Sequence, residues 1–254
     1  MSKRILALIT IIALSCLCLI RAQLAVGNWQ IYSSIGDPVK VVDTEERVYF
    51  VSGISLFSFD KVTEELEGYN KNNKLSDTGV SNIYYNYDKN YLVVIYSNAN
   101  IDILHDDGKV YNIPDIKNAI MTASKTINDV NFYDNHIYLA TDFGIVVLND
   151  EKYEVSESYN YGQKVNLIGA SNKYWFMLSG EVIYYIDKDA VKYNLANWKI
   201  LSSVSGYTIY DLEPFNDKYL FYSRNGVLYF YDMESEGLPL LGTLNMGVRS
   251  VEKY

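Results

Sequence analysis

The sequence predicts an all-β fold, a β-propeller with about five four-stranded blades that forms an incomplete ring. An aromatic-rich apolar strand recurs five times, as VYFVS from Val48, YLVVIYS from Tyr91, IYLATD from Ile137, YWFMLS from Tyr174 and YLFYSR from Tyr219. The starts lie 43, 46, 37 and 45 residues apart, which is the period of a propeller blade and does not suit helical or leucine-rich repeats. Strands such as YLVVIYS and VIYYID are apolar at successive positions. Both of their faces must therefore be covered, as in a sheet packed between two neighbours.

Each blade follows from its turns. The first, about residues 39–77, gives VVD, VYFVS, SLFSFD and ELEGYN, with Gly53 between its second and third strands. In the second, about 78–125, VSNIYYN turns at Asp88, Lys89 and Asn90 into YLVVIYS, then through Asn98 to Asn100 into IDILHD. Asp106, Asp107 and Gly108 lead on to KVYNIP, as the preference of Asp-Gly for tight hairpins requires. Only Asp115 to Lys125 breaks the pattern, as an irregular loop or one short helix. The third blade, about 126–163, runs INDVNFY, a turn at Asp134 and Asn135, IYLAT, and IVVLND. The fourth, about 164–206, gives VNLIGA, YWFMLS and VIYYID around Gly180, and the fifth, about 207–247, gives TIYDLEPF, YLFYS and VLYFYD. A single unit would leave an apolar face in water, so the stacked set is the folding unit.

The segment NWQIYSS (28–34) repeats NWKILSS (197–203), an outer strand by position. It is expected to be an orphan outer strand that latches a last blade and so closes an open edge. VRSVEKY (248–254) reads as the start of a further blade. Residues 23–254 are therefore expected to be the front part of a larger propeller.

Residues 1–22 read as a secretory signal peptide. Lys3 and Arg4 precede an apolar run from Ile5 to Ile20, shorter than the roughly 20 residues of a bilayer span, with a small-residue cleavage point after Ala22. Export to the periplasm or cell surface follows, with no transmembrane span once the signal is removed. Both cysteines, Cys16 and Cys18, leave with it, so the remaining chain must be held by its core. Loss of Lys3, Arg4 and Arg21 with no acid moves the formal charge from −9 to −12, which argues against a nucleic-acid partner. The 25 tyrosines fit β-structure, where a ring packs and its hydroxyl reaches an edge.

Chemical motifs are sparse. Asp142, Phe143 and Gly144 spell a kinase magnesium motif, but no glycine-rich or catalytic loop accompanies them, and a hairpin turn accounts for them better. Asp106 to Gly108 lacks the alternating acids of a calcium loop. His105 and His136 have no partner at ligand spacing. No catalytic, cofactor-binding, metal-ligating or other ligand-binding residue is assigned, and no enzyme activity or cofactor is expected.

The run KLSDTGVSNIYYNYDKNYLVVIYSNANIDIL (74–104) resembles regulator-type propeller repeats. The order GNW, KLSDTGVSNI, SNANIDIL, NIPDIKNAI, SKTINDVNF and YLATDFGIVVLN resembles the PorZ N-terminal propeller family of the Bacteroidota type IX secretion system, over nearly the whole chain after the signal. The resemblance implies a non-enzymatic, outer-membrane-associated protein. Its implied partners are a PorU-like sortase and PorV-like and PorQ-like proteins, with anionic lipopolysaccharide as the group attached to secreted cargo. The second propeller and C-terminal β-sandwich of that family do not follow in this sequence. Two other readings remain at this stage: a periplasmic ligand-sensing propeller of a hybrid two-component regulator, and a glycan-active propeller enzyme. Loops such as Asn112 to Lys125 are the expected contact surfaces, since loops vary in length while strands keep the period.

Overall fold

Alternating turn residues and apolar runs produce five antiparallel meanders in the computed structural model, which describes residues 35–203, 206, 208–224 and 227–234. All belong to one unit beginning at Ile35. The first sheet holds β1 (Pro38–Asp43), β2 (Arg47–Ser52), β3 (Ser55–Asp60) and β4 (Leu66–Tyr69). The second holds β5 (Val80–Asn86), β6 (Tyr91–Tyr96), β7 (Ile101–His105) and β8 (Val110–Ile113). Next come β9 (Ile127–Tyr133), β10 (His136–Thr141), β11 (Gly144–Asn149) and β12 (Glu154–Asn160) in the third. The fourth consists of β13 (Leu167–Ala170), β14 (Tyr174–Ser179), β15 (Val182–Asp187) and β16 (Lys199–Ser203). The fifth has β17 (Ile209–Phe215), β18 (Tyr219–Arg224) and β19 (Val227–Asp232). Strands neighbour one another in chain order in every sheet. These are blades of an incomplete β-propeller. The expected signal peptide, the NWQIYSS and VRSVEKY strands and any fourth strand of the fifth sheet lie outside the described residues.

The turns explain the recurrent Asn and Asp. Asn90, Asp134 and Asn216 each lie in the turn of the first hairpin of a sheet with φ of 54°, 56° and 52°, a left-handed conformation these residues tolerate better than most. In the second sheet Asn86 Oδ1 accepts from the amides of Asp88 and Lys89 at 3.0 and 3.1 Å, which closes the turn. The segment left open between loop and helix contains one helical turn, α1 (Asp115–Asn118), anchored by buried Ile116.

Four apolar cores lie between the five sheets. Val42, Val51 and Leu56 meet Ile83, Val94 and Leu104 across the first pair. Val93, Ile95 and Ile103 meet Ile137, Leu139 and Val146 across the second. Tyr138, Ala140 and Val147 meet Ile168, Trp175 and Met177 across the third, and Phe176, Leu178 and Ile183 meet Leu212, Leu220 and Tyr222 across the fourth. β6 is buried at every position, which is why its sequence shows no alternation. Two tyrosine hydroxyls, those of Tyr91 and Tyr96, end on the buried carboxylates of Asp150 and Asp102. Tyr91 donates to Asp150 at 2.8 Å, and Asp150 also receives Lys89 at 2.7 Å. The Asp150 side chain has no exposed surface, so the lysine and the hydroxyl together offset its desolvation.

The DFG string is a hairpin turn. Thr141 Oγ1 accepts from the amides of Phe143 and Gly144 at 3.3 and 3.1 Å, and buried Phe143 joins the core between the second and third sheets. Asp106 to Gly108 is also a turn, with Gly108 at φ 84° and its amide on the His105 carbonyl at 2.8 Å.

Candidate functional site

The segment expected to make contacts, Asn112 to Lys125, is built on a polar network that ties it to Ser76–Thr78 and to Asn98–Asp102. At its centre is Asp102, fully buried in the apolar strand β7. A carboxylate in such a place must be saturated with donors. Its Oδ2 accepts from the Ser76 amide at 2.8 Å and from the Tyr96 hydroxyl, and its Oδ1 accepts from Asn112 Nδ2 at 2.8 Å. Burial first, then the bond to Asp102, pushes the Tyr96 phenol far up, so it stays a donor.

Asp77 forms the second node. Its Oδ2 receives Lys117 Nζ at 2.6 Å, Asn98 Nδ2 at 2.8 Å and Asn100 Nδ2 at 3.4 Å, and its Oδ1 receives the Thr78 amide at 2.9 Å. The bond from Lys117, followed by that from Asn98, holds the Asp77 carboxyl well below the usual range despite some desolvation. Asn112 links the nodes by donating to Asn100 Oδ1 at 2.9 Å. Ala99, at φ 63°, lets the β6–β7 turn bring Asn98 and Asn100 to this side.

One side of the segment is thereby clamped and the other presented. Ile116 packs in the core with Ile113 and Ile127, Met121 rests on that core, and Lys125 Nζ donates to the Lys117 carbonyl at 2.7 Å. Ile120 stands fully exposed, flanked by exposed Asn118 and Thr122 to Ser124. An apolar side chain held out on a fixed backbone loses little freedom on docking, which suits protein contact.

The arrangement anchors the segment through side-chain hydrogen bonds and one ion pair. Each carboxylate of the network is engaged by donors, and among the described residues no group of three or more His, Cys, Asp and Glu side chains is placed to hold a metal ion. His105 accepts or donates to the Tyr153 hydroxyl at 3.1 Å and lies edge-on to Tyr153 and Tyr111, an aromatic packing site. His136 begins β10 and lies 6.2 Å from the Tyr138 ring, apart from His105 in sequence and sheet. A concavity of about 630 Å³ is lined by Arg47, Asp60 and Glu67 among others, and the Arg47 guanidinium in its wall is bonded to Asp60, Glu67 and Tyr69. No helix among the described residues is long and apolar enough to cross a membrane.

Asp77, Asp102 and Lys117 were not singled out by sequence. The available signal was the lone acid inside the apolar run IDIL, which requires buried partners. Lys117→Ala is expected to cost about 0.5–1 kcal/mol at pH 7, a modest figure because the lysine is partly exposed. Asp77, with its lowered folded-state pKa, contributes stability above the ordinary carboxyl range that is lost as the pH falls through the folded value. The deficit of Lys117→Ala should therefore narrow below about pH 4, as urea unfolding at pH 7 and pH 3 would register.

Known proteins place this framework. The family model of the type IX secretion PorZ N-terminal β-propeller domain matches residues 48–199, more than half of the chain. A solved structure of PorZ, described as an essential bacterial surface component of the type IX secretion system of Porphyromonas gingivalis, superposes with a TM-score of 0.72 at 28% identity. The match covers 84% of this chain and 29% of that one, so the chain spans less than a third of the PorZ it resembles. The WD40 propeller domain of Doa1 (TM-score 0.57, 14% identity, 84% of this chain and 72% of that one) shares the fold alone. So does the WD40 domain of Neurospora crassa Pan2 (TM-score 0.55, 10% identity, 85% and 68%). No protein with a curated description matches the chain. With the family match extending from the second strand of the first blade to the outer strand of the fourth, the chain belongs to the PorZ N-terminal β-propeller domain family of the type IX secretion system.

Proposed function

We propose that the chain is a non-enzymatic interaction module, exported and associated with the outer membrane, that serves a surface sortase complex in attaching anionic lipopolysaccharide to type IX cargo. The observation that carries this reading is the PorZ family match over residues 48–199. PorU-like, PorV-like and PorQ-like proteins are its partners in this proposal. The clamped Asn112–Lys125 segment supports a contact role, because a rigid loop with one exposed apolar residue binds without a large ordering cost.

The test is co-purification of the full-length protein from Bacteroidota envelopes, with the wild-type residue and with Ile120→Asp. Recovery of PorU-like or PorV-like proteins by the wild type is expected, with at least a roughly tenfold drop for Ile120→Asp, as for loss of an interface anchor. The melting temperature should be unchanged, since Ile120 is fully exposed. Recovery of neither partner by the wild type would overturn the module reading. Equal recovery by both forms would move the contact elsewhere.

A further inference from the structure

Where the outer strand of the second sheet meets the third sheet, three rings come together beside an unusual backbone. Tyr153 stands in the turn between β11 and β12, and its φ of 56° is one that a bulky side chain rarely adopts. Asn149 holds that turn. Its Oδ1 accepts from the Glu151 and Lys152 amides at 3.0 and 2.8 Å, and its carbonyl accepts from the Tyr153 amide at 2.9 Å. The Tyr153 ring lies on that of Tyr111 in β8, with centroids 3.8 Å apart and planes 8° from parallel. Ring quadrupoles oppose so full an overlap, and aromatic pairs usually settle with centroids roughly 4.5–7 Å apart. The surroundings therefore impose the stack.

No other tyrosine pair among the described residues is so placed. Tyr159 with Tyr193 and Tyr85 with Tyr87 lie at 4.9 and 5.0 Å, with planes 50° and 72° apart, and the near-parallel pair Tyr222 and Tyr229 lies at 5.4 Å. Tyr111 and Tyr153 are both half-buried, so solvent reaches them. A base also stands on one of the phenols, since His105 Nε2 is 3.1 Å from the Tyr153 hydroxyl. The imidazole meets both rings edge-on, with its centroid 5.5 Å from Tyr111 and 5.9 Å from Tyr153.

We propose that Tyr111 and Tyr153 form a site of oxidative cross-linking, at which a one-electron oxidant of the haem-peroxidase class couples them into a dityrosine and His105 takes the Tyr153 proton. Each phenol loses one electron to the oxidant and one proton, that of Tyr153 to unprotonated His105 Nε2 and that of Tyr111 to water. The unpaired electron of a phenoxyl occupies p orbitals perpendicular to its ring, so parallel rings aim these orbitals at one another. A carbon–carbon bond forms between the two carbons ortho to the oxygens. The hydrogens on those carbons then leave as protons while the two oxygens are reprotonated. The chain loses two hydrogens in all, and one hydrogen peroxide takes up the two electrons and two protons and becomes two waters. Stacking replaces a chance encounter of two phenols with a contact already made. The product is a covalent staple in a chain whose two cysteines, Cys16 and Cys18, both lie in the segment read as a signal peptide.

Dilute whole chain treated with equimolar hydrogen peroxide and a haem peroxidase tests this, read by dityrosine fluorescence, intact mass and peptide mapping. The expected product is a single chain two hydrogens lighter, with one linked peptide pair containing Tyr111 and Tyr153. Tyr111→Phe and Tyr153→Phe keep the rings, and each should lower the dityrosine yield at least about tenfold. His105→Gln should slow the reaction at least about tenfold and leave the mapped position unchanged. A map dominated by another pair, no dityrosine at all, or an equal yield from Tyr111→Phe would overturn the site. An equal rate in His105→Gln would overturn the role given to the histidine. Should a variant fail to fold, the wild-type peptide map alone decides whether these two tyrosines couple.

Discussion

Gly144→Ala is expected to abolish folding, or to cost more than about 4 kcal/mol where a folded fraction survives. Gly144 has φ 149°, and a Cβ there would lie 1.9 Å from the Tyr159 carbonyl oxygen. The next contacts, 3.0 Å to the Tyr159 carbonyl carbon and 3.1 Å to the Tyr161 nitrogen, are also main chain. No rotamer change can relieve them, and β11 would have to separate from β12. Gly180 provides the control, because it has φ 59° but nothing within 4 Å of an added Cβ. Gly180→Ala carries only the conformational cost of a left-handed residue, about 1 kcal/mol. Melting curves followed by circular dichroism compare the two, and equal stabilities would refute the close approach at Gly144.

Asp102→Ala is expected to remove about 3–5 kcal/mol, since the Tyr96 hydroxyl and the Ser76 amide lose their acceptor in a buried setting. Adding Tyr96→Phe to Asp102→Leu should recover part of the loss, because removing both partners leaves fewer unsatisfied groups than removing one. A double-mutant cycle in urea would then show a coupling of at least about 1 kcal/mol between the two positions. A loss below about 1 kcal/mol for Asp102→Ala would mean that the network does not hold the Asn112–Lys125 segment.

The strands were legible because their signals are local. VIYYID, YWFMLS and VSNIYYN are read from the sequence with the ends the structure gives them, since each is bounded by Gly, Asn or Asp turns. The contact network was not legible, because its bonds join residues far apart in the chain: Ser76 to Asp102 spans 26 residues and Lys117 to Asp77 spans 40. The bulges in β1, β5, β9 and β17 were hidden for a different reason. One extra residue shifts the two-residue alternation within β5 or β17, so a count run through the strand averages the shift away. Only paired coordinates reveal that Lys40, Asn82, Asp129 and Asp211 are equivalent.

The chain-order pairing of strands within every sheet also governs how the molecule can assemble over time. A hairpin such as β14–β15, turned by Gly180 and Glu181 alone, closes a very small loop and incurs little chain-entropy cost. Each described meander can form from contiguous residues as they emerge. Docking of the next meander then buries the apolar face left by the last, so the growing chain gains stability blade by blade in the order of its synthesis.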